Sequence, residues 1–182
     1  MNASPPITVP RLQTRRLLLR EYRLEDFDTF AAHLAEPESM TFLGIEDRRA
    51  AWRIFACHAG LWLLSGAGWW SVESRETGRL VGHVGTFFRE GIPGLEVGWN
   101  TYREFWGQGF ASEAAAMAVR HGLEVRGEPR VRALIDPGNA ASIRVALHLG
   151  MRRELETTLY GEQVVQYTLE MPVARSADPS TG

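Results

Sequence analysis

A chain of 182 residues, 45% of them apolar, can bury one substantial core without covalent staples. A formal net charge of −2 gives no basic footprint for nucleic acid or an anionic membrane. The single cysteine, Cys57, excludes a disulfide framework and a cysteine-based metal site.

The first residues, Met1 to Pro6, lack the charged and apolar segments of a signal peptide. No apolar run approaches the roughly 20 residues that cross a bilayer. The expectation is a cytoplasmic protein with neither membrane nor nucleic-acid partners. Prolines crowd residues 1–10, and residues 172–182 are small and polar, so both read as tails around one domain at 11–171.

Leu17-Leu18-Leu19-Arg20 reads as a short strand. Phe27, Phe30, Ala31 and Leu34 then recur at helical spacing until Pro37 stops the run. A second helix is expected over Arg48 to Leu64, with Cys57 packed inside. Ser65-Gly66-Ala67-Gly68 opens a series of strands at Trp69 to Glu73, Leu80 to Phe88 and Leu95 to Asn100. Gly91-Ile92-Pro93-Gly94 separates the last two.

After Asn100 the period changes. Ala111, Ala115, Ala118, Val119 and Gly122 form a stripe of small residues along a helix over Ala111 to Val125, which should lie close to its sheet. Val131 to Ile135 is a strand, Asp136-Pro137-Gly138-Asn139 a turn, and Ala140 to Leu149 a helix closed by Gly150. Glu154 to Tyr160 and Val164 to Glu170 complete a hairpin around Gly161-Glu162. The order predicts a mixed α+β domain with antiparallel hairpins either side of one β-α-β unit.

The segment that carries chemistry is Glu96-Val97-Gly98-Trp99-Asn100, followed by Trp106-Gly107-Gln108-Gly109-Phe110-Ala111. A strand feeds a glycine loop that opens a helix, where converging N–H groups and about half a positive charge suit a phosphate. A Gly-x-Gly loop also fits an ordinary tight turn. The dinucleotide fingerprint fits poorly: Ser112 stands at its third glycine and Asp136 lies too far along.

Trp106-Gly107-Gln108-Gly109-Phe110-Ala111-Ser112-Glu113-Ala114 resembles the pyrophosphate loop of GNAT acetyltransferases, in the form found in their ribosomal-protein N-terminal acetyltransferase-like branch. Asn139-Ala140-Ala141-Ser142 with Leu149-Gly150-Met151 resembles that branch's second signature. Leu12-x-Thr14-x-Arg16-Leu17-x-Leu19-Arg20, with Asp26 beyond it, resembles its opening strand and first helix.

The resemblance implies a GNAT fold: a twisted, mostly antiparallel sheet with a splayed strand pair and flanking helices. It implies acetyl-CoA as cosubstrate, no metal, and direct transfer to an amine, either a peptide N-terminus or a small molecule; it also allows a homodimer. Val97, Gly98, Trp99 and Asn100 would meet the thioester and pantetheine, with a bulge accommodated at Gly98. Amides from Trp106 through Ala111, with Ser112 nearby, would meet the pyrophosphate.

Glu96 matches the family's strand general base, and its neighbours Leu95 and Val97 would favour the neutral acid. Ser142 matches a general acid toward the thiolate, and Asn139 a coenzyme A contact. Each residue has a plainer reading: a surface carboxylate for Glu96, a cap or packing residue for the other two. Trp52, Trp62, Trp69 and His83 are candidates for the acceptor wall, although tryptophan is more often core. Beside the enzyme stands a second reading, a non-catalytic acyl-CoA-binding regulatory module, and behind it a dinucleotide-binding protein.

Overall fold

The computed structural model describes residues 8–171. The tail segments 1–7 and 172–182 lie outside the described residues. The packed unit starts before residue 11, because Val9 lies against the core and the carbonyl of Pro10 accepts the Trp70 indole N–H at 2.7 Å.

The strands are β1 (Leu12–Gln13), β2 (Leu17–Arg20), β3 (Gly68–Ser74), β4 (Leu80–Arg89), β5 (Ile92–Thr101), β6 (Arg130–Ile135), β7 (Arg152–Leu159) and β8 (Glu162–Glu170). The helices are α1 (Phe27–Leu34), α2 (Arg48–Ser65), α3 (Phe110–Arg120) and α4 (Ala140–His148). One eight-stranded sheet runs in the order β1-β2-β3-β4-β5-β6-β8-β7. Every neighbouring pair is antiparallel except β5 and β6, which the β5-α3-β6 crossover joins in parallel. The expected mixed α/β architecture is present.

Local chemistry sets the element ends. Asp47 caps α2 by accepting from the Ala50 N–H at 2.7 Å, and Gly66 ends it in the left-handed region at φ 63°. Cys57 is exposed on this helix, not packed inside it. The helix expected to run unbroken to Val125 ends at Arg120 and continues as a π turn over His121–Val125. There Gly122 lets the backbone approach the sheet: a Cβ would sit 2.8 Å from Leu95 Cδ2.

The tight turn between β4 and β5 is Glu90-Gly91, since Arg89 already pairs with Ile92. Pro93 and Gly94 are thus inside β5. They precede Leu95, where pairing with β6 begins, so the missing proline N–H breaks no ladder there. The last hairpin turns at Tyr160-Gly161, one residue earlier than expected, because Leu159 pairs with Glu162.

Strand alternation gives the sheet two distinct faces. On one, Leu95, Val97 and Val131 pack under the small residues Ala114, Ala115 and Ala118 of α3. On the other, α1 and α2 build a second cluster from Phe27, Phe30, Leu34, Ala51 and Phe55. Glu96 therefore points away from Leu95 and Val97. The apolar surroundings expected for its carboxyl lie on the opposite side of the sheet.

A buried ion network ties β2 to the α1 side. Arg20 donates to both oxygens of Asp26 at 2.7 and 2.8 Å and to Glu73 at 2.7 Å. Asp26 also accepts from Ser71 Oγ at 2.8 Å and the Arg23 N–H at 3.0 Å. Breaking a buried pair of this kind costs about 3–5 kcal/mol.

The feature that positions the site is the splay between β5 and β6. They pair only at Leu95–Val131 and Glu96–Arg132, then separate. The Tyr102 N–H bonds to Val81 of β4 at 2.9 Å, which fixes the alternation along β5. Counting back, the main-chain groups of Trp99 face away from β4, into the gap. No bulge occurs at Gly98: pairing with β4 is regular from Thr101–Gly82 to Glu96–Phe87, and the irregularity falls at Phe87/Arg89. Gly98 is needed for another reason, since a Cβ there would lie 2.6 Å from Trp69 Cη2.

Candidate active site

On the α3 side, the loop after β5 turns at Gly107 (φ 73°) and Gly109 (φ 78°), both in the left-handed region that favours glycine. Gly109 is the N-cap of α3 and has no side chain to cap it. Among the described residues, no main-chain N–H from Gly107 to Ser112 has a protein acceptor; the flanking Trp106 and Glu113 N–H groups bond to Arg103 and Gly109. The run of donors thus begins one residue later than expected, with Trp106 excluded. Trp106 instead braces the loop, its indole N–H donating to the Thr101 carbonyl at 2.7 Å.

The loop is clamped from below. Glu113 accepts from Thr14 Oγ1, from the Arg16 N–H at 3.1 Å and from Arg16 Nε at 2.6 Å. Arg16 Nη1 donates to the Gln108 carbonyl at 2.9 Å, and its guanidinium lies 4.5 Å over the Phe110 ring. The Gln108 carbonyl turns inward to arginine while the N–H groups from Gly107 to Ser112 stay free, a geometry suited to an anion. This clamp was missing from the residue-level reading of the sequence, although Thr14, Arg16 and Glu113 stood inside two of its signatures.

Across the splay, Asn139 caps α4, its Oδ1 accepting from the Ser142 N–H at 3.0 Å. Ser142 is half-buried, and its hydroxyl makes no hydrogen bond among the described residues. The connection between α1 and α2 reaches over to this turn: a Cβ on Gly138 would sit 3.4 Å from the Phe42 ring.

On the opposite face lie Glu96, Gly98 and Asn100. Glu96 is 2% exposed and accepts from Arg89 Nε at 3.0 and 3.1 Å and from Arg89 Nη2 at 2.9 Å. Arg132, its partner in register, stands 3.8 Å away. Arg89 Nη1 also donates to the Tyr160 hydroxyl at 3.3 Å. Tyr160 holds φ 51° at the tip of the β7–β8 hairpin. Sequence reading singled out neither arginine: Arg132 is brought in by the β-α-β crossover, which leaves no local spacing, and Arg89 by a hairpin turn at Glu90-Gly91 instead of the expected Gly91 to Gly94.

Beside them is an aromatic floor. Trp69 stacks on His58 at 4.3 Å and on Phe87 at 5.1 Å. His83 is buried between Trp69 at 5.4 Å and Phe30 at 5.1 Å, and its Nδ1 has no partner. Burial first, then His58 and His33, hold the His83 pKa well below the ordinary histidine value. Burial also pushes His58 down to about 3 and lowers His33. All three imidazoles are neutral at pH 7. His33 Nε2 meets Asn100 Oδ1 at 2.9 Å, so the Asn100 side chain serves this face and not the splay. Among the described residues, no His, Cys, Asp and Glu group is arranged to hold a metal ion.

Of the four residues expected on the acceptor wall, Trp69 and His83 come together here. Trp62 does not: it is core, packed on Trp70 at 4.7 Å with its indole N–H on the Trp69 carbonyl. Trp52 lies apart, near the start of α2, against Phe27 at 4.9 Å and Phe55 at 6.0 Å. The spacing that put both tryptophans on one helix did not specify which neighbour each would meet.

A splayed parallel pair over an unpaired amide loop defines an acyl-transferase scaffold. The chain belongs to the acetyltransferase (GNAT) domain family, whose model matches residues 16–152. It is similar to the Bacillus subtilis protein YkkB, 31% identical over 86% of this chain and 94% of that protein. The Bacillus subtilis N-acetyltransferase YoaA is 29% identical over 80% of this chain and 84% of its own length. Among solved structures, an acetyltransferase from Agrobacterium tumefaciens is 27% identical with a TM-score of 0.83, covering 94% of this chain and all (100%) of that one. Mycobacterium smegmatis RimJ in complex with CoA-disulfide shares the fold at 17% identity and a TM-score of 0.69, covering 85% of this chain and 81% of that one.

Proposed function

We propose that the protein transfers an acetyl group from acetyl-CoA to a primary amine by direct attack, with both substrates bound at once. The observation that carries this reading is the uninterrupted set of free N–H groups from Gly107 to Ser112 at the mouth of the β5–β6 splay. A diphosphate there would be held by those amides and the α3 N-terminus. The pantetheine arm would then run through the splay, from the α3 face to the acceptor face.

In this reading the Trp99 N–H donates to the thioester carbonyl oxygen, a contact that strengthens as negative charge builds there. The amine nitrogen forms the new C–N bond, and Glu96 takes the proton the amine loses. The C–S bond then breaks, and the Ser142 hydroxyl gives its proton to the departing thiolate while taking one from solvent, so that serine is not left as an alkoxide. Val97 and Gly98 line the path of the acyl group, and Asn139 lies beside it. Signatures at both ends of the domain favour the ribosomal-protein acetyltransferase-like branch, and Mycobacterium smegmatis RimJ, with CoA-disulfide bound, has the same fold.

A thiol-release assay across peptides, amino acids, polyamines and aminoglycosides tests the proposal. Turnover of at least one amine is expected, lowered about 10²-fold or more by Glu96→Gln and by Ser142→Ala. Turnover unaffected by either substitution would remove both assignments.

A further inference from the structure

The acceptor face holds an excess of positive charge that is only partly matched. Arg89 engages both oxygens of Glu96, and Arg130 pairs with Glu154 at 3.6 Å. Arg132 is left over. Among the described residues its one ion pair is the 3.8 Å approach to Glu96, beyond hydrogen-bond range, and its side chain is 12% exposed. Its Nε and Nη2 are buried without an acceptor. A guanidinium in that condition forfeits solvation without recovering it through a partner, which favours a ligand that brings an anion.

Glu154, already engaged by Arg130, is the other carboxylate near Arg132; among the described residues the remaining groups here add no negative charge. His33, His58 and His83 are neutral, and the remaining surfaces are the rings of Trp69, Phe87 and Tyr160. Arg89 spans the two parts, its guanidinium 5.5 Å from both the Phe87 and Tyr160 rings. An acid-lined pocket, which a polyamine or aminoglycoside requires, is not what this face offers.

We infer that the acceptor is a small primary amine bearing a carboxylate, and that Arg132, with Arg89, binds that carboxylate while the amine meets Glu96. This rests on the acetyl transfer proposed above. Arg132 pairs in register with Glu96, so a carboxylate on its guanidinium and an amine at the Glu96 carboxyl would be neighbours on one sheet face. Amine and carboxylate of one small molecule suit that spacing. The arrangement also bears on catalysis. A second carboxylate would turn two guanidiniums and one carboxylate into a matched set of two and two. Arg89 could then release one oxygen of Glu96 to receive the amine's proton, so that specificity and activation are coupled.

The test compares β-alanine, γ-aminobutyrate, aspartate, glutamate and phenylalanine with their carboxamides and with spermidine, by thiol release. Acetyl-CoA binding is measured separately by calorimetry. At least one acid should exceed its carboxamide, and spermidine, by about tenfold or more in kcat/KM. Arg132→Gln should bring the acid-to-amide ratio toward one, and Arg132→Lys should restore part of it. Because Arg132 is on the face opposite α3, acetyl-CoA affinity in the variant reports that the domain is intact. Carboxamides or spermidine turned over as well as the acids, or a ratio that survives Arg132→Gln, overturns the inference and leaves acetyl transfer standing. Acetyl-CoA bound but no acid acetylated overturns it too. No acetyl-CoA binding at all ends the underlying proposal.

Discussion

Gly98→Ala is the substitution whose consequence the structure specifies most closely. Gly98 is not among the residues with positive φ, so alanine meets no backbone penalty there. The conflict is purely steric: the added Cβ would lie 2.6 Å from Trp69 Cη2 and 3.1 Å from Cζ2. Carbon atoms rest about 3.5–4.0 Å apart, so the indole must retreat by roughly 1 Å. It has little room, being stacked on His58 at 4.3 Å and on Phe87 at 5.1 Å. Overpacking of this kind costs about 1–3 kcal/mol. For a domain of this size that lowers Tm by about 2–12 °C. The acceptor KM should rise, because Trp69 floors that side, while acetyl-CoA affinity holds, because the donor loop is on the other face. Thermal melting, calorimetry and initial rates read the three effects, and Trp69→Leu in the same chain should remove most of the stability penalty. A Gly98→Ala protein that melts and turns over like the parent would refute this placement of Trp69.

Two further predictions concern the ion networks. Burial works to raise the Asp26 pKa, but hydrogen bonds from Arg20, the Arg23 N–H and Ser71 outweigh it and hold the carboxyl below its ordinary value. The folded pKa is therefore below the unfolded one, so this stabilisation is complete above about pH 4–5 and is lost as pH falls through the folded value. Asp26→Asn should cost about 3 kcal/mol at pH 7 and flatten the acid limb of the Tm-versus-pH curve; an unchanged limb would contradict the assignment. Glu113→Gln should loosen the clamp on Arg16 and weaken acetyl-CoA binding about tenfold by calorimetry. Unchanged affinity would mean that the loop holds its shape without the clamp.

Much of the fold was legible because its signals are local. Small residues from Ala111 to Gly122 announced a helix lying close to the sheet, and Leu95, Val97 and Val131 meet that helix. Gly107 and Gly109 announced an amide loop, and both adopt the required positive φ. What stayed hidden depends on partners far away in sequence. Period-two alternation alone places Leu95 and Val97 opposite Glu96, yet nothing local indicates that Arg132 faces it, and Arg89 does so only because the hairpin turns at Glu90-Gly91. Gly98 has the same character: a strand glycine signals either a bulge or a close approach, and only the position of Trp69 decides between them. The Trp62 ring belongs to the core because Trp70 and the Trp69 carbonyl are there to receive it.

The central claim is that backbone amides from Gly107 to Ser112 hold the diphosphate of the acyl donor. Calorimetric titration of acetyl-CoA beside S-acetylpantetheine, which carries the same thioester arm without the diphosphate, tests it directly. The account predicts that acetyl-CoA binds at least about a hundredfold more tightly, a difference of about 2.7 kcal/mol. Equal affinities for the two would contradict it.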